Sequence, residues 1–182
     1  AYLKRVFQLG IDSSPESRRL WVRSRELLLQ SQNEGLGDPD VDATLAQLLF
    51  PTRPVEAIGF ARAALENPRL DIESRLNALF ALASYHQRQK QPRRALEYLD
   101  KLIGLRRSAA DWELRALCLL QQRDIPATVQ ALETAIGIDP ELLPARDLLA
   151  RLYRDQGKPG LSASQRQLIR QLTEQFRKRD SR

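Results

Sequence analysis

Ala145-Arg146-Asp147-Leu148-Leu149-Ala150-Arg151-Leu152-Tyr153-Arg154-Asp155-Gln156-Gly157 is the run that decides the fold. Ala, Leu and Arg cost little to place in a helix, and no β-branched residue interrupts them. Gly157 ends the run and Pro159 follows two residues on, so a second element starts there. The same composition runs outward in both directions. Ala and Leu dominate the apolar residues, aromatics make up 6%, and Gly is limited to 8 of 182 residues. No run of alternating Val, Ile, Thr or aromatic residues stands between turn signals, so no sheet is expected.

Proline marks the breaks between apolar-periodic stretches, at Pro15, Pro39, Pro51, Pro54, Pro68, Pro92, Pro126, Pro140, Pro144 and Pro159. Its missing N–H is harmless in the first turn of a helix and disruptive further in. Helices are predicted near 2–10, 16–32, 41–50, 54–66, 71–90, 92–105, 109–122, 125–137, 141–156 and 160–178. Residues 32–39 read as a connecting loop. Its Gly35-Leu36-Gly37 follows no strand, so it is not read as a phosphate cradle.

A second copy of the quoted pattern lies upstream. Trp112, Ala116, Leu119, Leu132, Ala135 and Pro140 hold the fourth, eighth, eleventh, twenty-fourth, twenty-seventh and thirty-second places of a segment starting at Ala109. An earlier segment, starting at Arg75, carries Leu79, Leu82-Ala83, Ala95, Leu99 and Leu102. A third, from Leu143, carries Leu149-Ala150, Tyr153 and Gly157.

These segments resemble the tetratricopeptide repeat family, whose unit is a pair of antiparallel helices, A and B. The resemblance covers 75–157. It weakens upstream, where Val55 through Leu65 and Pro68 look like a helix B, with 41–50 as a shortened helix A. Small residues such as Ala83, Ala116 and Ala150 would stand where the two backbones approach. Each pair leaves an apolar face that only the next can cover, so units stack. The fold class this implies is all-α: a right-handed superhelical stack of antiparallel helix pairs, a tetratricopeptide-like α-solenoid of about ten helices.

The expected organisation is an N-terminal helical part over 1–40, a degenerate unit over 41–74, and three units with a C-terminal capping helix over 75–182. Leu9-Gly10-Ile11-Asp12 echoes Ile136-Gly137-Ile138-Asp139, which suggests that 1–12 closes a preceding repeat. Leu161, Leu168, Ile169, Leu172 and Phe176 form one apolar face of the last helix, and its charged end at 174–182 suits a solvating cap. Ala1 is not a natural initiator, so the sequence reads as either processed or a fragment of a longer bacterial-type protein. Cytoplasm and periplasm both stay open, as does attachment to a membrane through a preceding part.

Little catalytic chemistry is visible. The one Cys and one His, Cys118 and His86, do not make a metal-ligand set. Cys118 sits among Leu114, Leu117 and Leu119 and reads as a small core residue. His86, beside Tyr85, reads as a packing or rim residue. No nucleophile elbow, P-loop or dinucleotide fingerprint is present. No enzyme activity and no cofactor is expected.

Net charge is +6, and 24 of the 29 basic residues are Arg. They are interleaved with acids along the chain, which reads as a solvated helical surface. The basic balance keeps nucleic acid or another anionic polymer as a rival partner. The resemblance implies instead a protein or peptide partner, held on the helix A face. The lining positions of the family fall here on Leu76, Phe80, Ser84, Gln87 and Arg88, then on Ala110, Glu113, Leu117, Leu120 and Gln121. In the third unit they fall on Pro144, Asp147, Arg151, Arg154 and Asp155. The Lys and Asn with which some members clamp a terminal carboxylate are replaced by Phe80, Ser84, Glu113 and Leu117. The expected ligand is therefore a peptide with apolar anchors and some acidic residues. A homodimer, and an accessory role within a larger enzyme or electron-transfer protein, remain open alternatives.

Overall fold

The computed structural model describes residues 39–50 and 52–180, together with residues 22, 23, 26, 27 and 30, which are helical. The expected helix 2–10, the stub 1–12 and the loop 32–38 lie outside the described residues, as does most of helix 16–32. Eight helices follow in order: α1 (Pro39–Leu49), α2 (Pro54–Glu66), α3 (Ile72–Arg88), α4 (Pro92–Leu105), α5 (Ala109–Gln121), α6 (Ile125–Ile138), α7 (Leu143–Asp155) and α8 (Pro159–Asp180). No strand occurs among the described residues. The predicted elements from 41 onward are all present, with ends shifted by one or two residues. Eight of the ten expected helices are described in full; the other two, 2–10 and 16–32, fall before residue 39, wholly or mostly outside the described residues.

Two compact units divide the chain, 1–85 and 86–182, with the boundary inside α3. In the first, α1 packs on α2. Leu45, Leu49 and Ala57 are fully buried, with Val41, Phe50 and Phe60 against them. Ala43, Ala64 and Leu70 form a neighbouring cluster. Asp71 opens α3: its Oδ1 accepts the N–H of Glu73 at 2.8 Å and of Ser74 at 3.1 Å, satisfying donors that a helix start leaves free.

In the second unit α5 packs on α6 and α7 on α8, while α4–α5 and α6–α7 contacts join one pair to the next. One core cluster joins α5, α6 and α7. Ala116, Leu132, Ala135, Ala145 and Leu149 are buried, and Trp112, Leu119, Leu120 and Ile136 close around them. Each fully buried leucine contributes on the order of 1.5–3 kcal/mol. All the tetratricopeptide signature residues of the second segment except Pro140 therefore meet in this core.

The turns between helices A and B are built alike three times. Lys90, Arg123 and Gly157 have φ of 55°, 61° and 70°. The following N–H groups, of Gln91, Asp124 and Lys158, donate back to the carbonyls of His86, Leu119 and Tyr153 at 2.9, 3.0 and 2.8 Å. The left-handed residue's own N–H donates to Gln87, Leu120 and Arg154 respectively. This double closure is a Schellman motif. Ala83, Ala116 and Ala150, one in each A helix about two turns before the left-handed residue, are at most 1% exposed.

Side chains also meet across two of these turns, where the motif usually has an apolar contact. His86 Nδ1 lies 2.8 Å from Gln91 Oε1. Lys158 stands 5.9 Å over the Tyr153 ring. His86 is 2% exposed and stacks on Tyr98, with centroids 5.6 Å apart and planes 7° apart. It therefore packs, one of the two roles expected of it, at the position that Tyr153 holds in the third of these turns.

A left-handed conformation costs an L-residue about 1 kcal/mol or more, and glycine escapes this. Lys90→Gly and Arg123→Gly are each expected to raise stability by about 0.5 kcal/mol in urea unfolding, the gain being reduced by glycine's freedom in the unfolded chain. Gly157→Ala is expected to lower it by about 1 kcal/mol.

The Asp71 carboxyl is held at about 2, chiefly by the Ser74 hydroxyl, against the opposing effect of burial and with help from the Ser74 N–H, the Asp40 side chain and the Glu73 N–H. Because the folded value is depressed, the cap's contribution is complete above about pH 4 and fades as pH falls toward 2. The stability difference between wild type and Asp71→Ala should shrink over that window in acid titrations followed by circular dichroism.

Candidate functional site

The helix A positions fall in both units. Phe80 and Ser84, in the first, are half-buried on α3. In the second, the end of α3 carries Gln87, half-buried, and Arg88, exposed. Helix α5 carries Glu113, Leu117 and Leu120, all half-buried, and Gln121, exposed. Helix α7 carries Asp147, half-buried, and Arg151 and Arg154, both exposed.

Several of these side chains have defined partners. Gln121 Nε2 donates to the Gln87 carbonyl at 3.0 Å, a bond that ties the ends of two successive A helices. Asp147 pairs with Arg151 one turn along α7. Arg154 pairs with Asp155 at 3.2 Å. Burial raises the Glu113 carboxyl above its ordinary value. Leu120 packs against the core, so its role is at least partly structural. Leu117 is not among the residues packed on that core and keeps partial exposure between Glu113 and Gln121 on the same helix face. The arginines of α7 are thus partly neutralised by acids on their own helix.

Sequence reasoning did not find the polar contacts that fix one helix on the next. Arg106, the C-cap of α4, donates from Nε and Nη2 to both carboxylate oxygens of Asp111 at 2.7 Å each. Asp111 is fully buried, and its hydrogen bonds raise the Arg106 guanidinium further above its ordinary value. Asp100 of α4 pairs with Arg115 of α5. Tyr153 Oη donates to Glu133 of α6 at 2.6 Å; burial first, then this bond, pushes the phenol up to about 12. Arg146, 7% exposed, donates to the Pro140 carbonyl at 2.8 Å and to Gln165 of α8 at 2.9 Å. Arg106 and Asp111 stand on either side of a helix break, at a spacing with no motif attached to it. Only the backbone path makes them partners.

Among the described residues no group of three His, Cys, Asp or Glu side chains could hold a metal. No described helix is long and apolar enough to cross a membrane.

The family model of anaphase-promoting complex, cyclosome, subunit 3, a tetratricopeptide-like repeat, matches residues 55–135, from α2 into α6. This is less than half of the chain. A crystal structure of MamA superposes with a TM-score of 0.77 at 16% identity, over 90% of this chain and 94% of that one. The fold is a tetratricopeptide-type helical repeat. MamA 41-end from Desulfovibrio magneticus RS-1 agrees, with a TM-score of 0.75 at 15% identity over 96% of each chain. A MamA RS-1 double mutant gives 0.76 at 16%, over 100% of this chain and 98% of that one. At such identities the likeness shows the architecture alone. No curated protein matches the sequence.

Cys118 lies inside these repeats, fully buried on α5, and burial pushes its thiol up to about 11, against the lowering influence of Arg115. A thiol that is both buried and protonated reacts slowly. Labelling by iodoacetamide at pH 8 should therefore be negligible in the folded protein and complete in 6 M guanidinium, as read by mass spectrometry.

Proposed function

We propose that this tetratricopeptide-like domain is a protein-interaction scaffold, and that it holds a peptide or partner protein on its helix A face. The observation that carries the reading is the α5–α7 set of the second unit. An incompletely buried leucine, Leu117, stands between Glu113 and Gln121 on its helix, and exposed Arg151 and Arg154 follow on the next A helix. An apolar anchor with a polar, charged surround is the usual anatomy of a peptide site. Because Asp147 and Asp155 already engage those arginines, the expected partner is anchored mainly by apolar side chains and only secondarily by acids. Glu113 and Gln121 would supply hydrogen bonds to its backbone. Phe80 and Ser84 of α3 are proposed as further contacts, tested separately because they lie in the other unit.

The test is affinity capture with the whole chain as bait, followed by binding measurements on purified partners. A Leu117→Glu variant of unchanged helicity should bind a captured partner at least about tenfold more weakly, since a buried apolar anchor is worth about 1.5 kcal/mol or more. A partner bound equally well by wild type and by both Leu117→Glu and Phe80→Ala would move the site off the helix A face. The rival reading, an anionic polymer on the arginine-rich surface, predicts binding that falls steeply with salt and is indifferent to Leu117.

A further inference from the structure

Elsewhere in the second unit, the C-terminal ends of two B helices leave a groove of about 660 Å³. Trp112 of α5 lies along it, Ile103 and Gly104 come from α4, and Gly137 and Ile138 from α6. The two glycines hold equivalent places, and a Cβ added at either would meet nothing within 4 Å, so the walls there are bare backbone facing open space. Leu105 at the edge is 45% exposed. Arg106 is committed to Asp111, but Arg107 beside it is exposed and has no ion pair among the described residues.

The next repeat shows how such a place is completed within the chain. Helices α4, α6 and α8 all begin just after a left-handed turn residue. The first two are 14 residues long and end at Leu105 and Ile138, whereas α8 has 22 residues and runs on to Asp180. In that extension Phe176 is half-buried, and Arg179 bonds Glu141, in the turn before α7, at 3.3 and 3.4 Å. The place of Trp112 is taken by Arg146, bonded to Pro140 and Gln165. That repeat therefore closes with an apolar side chain and a charge pair. The α4–α6 groove has the complementary half of the same arrangement, a half-buried aromatic with Arg115 5.9 Å from its ring centroid, and an unengaged cation at the turn.

We propose that this groove is a second binding site, independent of the helix A face, for a peptide segment of a partner protein that inserts an aromatic side chain beside Trp112 and sets a carboxylate on Arg107. The C-terminal ends of α4 and α6 carry partial negative charge, about half a unit each, so the carboxylate belongs at the rim, where a full positive charge outweighs them. The glycine walls admit a flat ring close to the backbone, and edge or offset stacking on Trp112 orients it.

The probe is a capped pentapeptide of alternating glutamate and phenylalanine, titrated into the whole chain while the indole N–H of Trp112 is followed by NMR. Saturating shifts with half-saturation below about 1 mM are expected. Gly104→Leu, which favours helix and fills the groove, should abolish them. Arg107→Glu should weaken binding about tenfold. Replacing the glutamates of the probe by lysines should do the same, and Leu117→Glu should leave binding unchanged. The proposal is overturned by an unresponsive Trp112, by binding that survives Gly104→Leu or is as tight with Arg107→Glu as with wild type, or by loss of binding in Leu117→Glu, which would place the peptide on the helix A face. Shifts that track protein concentration without peptide would assign the groove to a second copy of the chain and likewise overturn it.

Discussion

The close crossing of paired helices at an alanine is the constraint on which the rest depends. Ala116 and Ala150 have almost no exposed surface, and a larger side chain there would push the helices apart or force strain of a few kcal/mol. Close packing lets Trp112, Leu132 and Leu149 interdigitate into a single core. It also demands that the chain reverse within a few residues. The left-handed residues at 90, 123 and 157 meet that demand, and the double hydrogen bond around each satisfies carbonyls that the end of helix A would otherwise leave open. Two of the three are long basic residues and not glycine. The turn is thus imposed by helix packing strongly enough to override a local preference.

Stacking such pairs produces two chemically different surfaces in the second unit. Positions on helix A that cannot face helix B, such as Leu117 and Arg151, stay wholly or partly accessible. The B helices end beside the turns to the next unit, where Gly104 and Gly137 leave backbone uncovered. The polar ties between units follow the same geometry. Arg106 with Asp111 and Asp100 with Arg115 join α4 to α5, and Glu133 with Tyr153 joins α6 to α7. Breaking one of these by removing a single partner would be costly where the remaining group is as buried as Asp111. They fix the register of each pair on its neighbour more than they add net stability.

Much of this was legible from the chain alone. Prolines in first turns, the return of alanine and leucine from one segment to the next, and the Leu149-Ala150, Tyr153, Gly157 pattern gave the helices and their pairing, because those features depend on local geometry that recurs once per repeat. The burial of Cys118 was readable for the same reason: leucines flank it on one helix. The candidate binding face was readable only as a set of positions. Both Leu117 and Leu120 are half-buried, and nothing local shows that Leu120 packs on the α5–α7 core while Leu117 does not.

The sequence by itself determined the class, the boundaries of the helices from residue 39 onward to within about two residues, and the small residues at the crossings, since each follows from backbone sterics and periodicity within a few turns. The tertiary structure alone decided that Lys90 and Arg123 turn left-handed, that Asp111 is a buried anchor for Arg106, and that Gly104 and Gly137, from two different repeats, flank Trp112 in one groove. Those outcomes depend on which helix ends are brought together in space. That is set by packing between pairs, where distance along the chain no longer constrains which side chains meet.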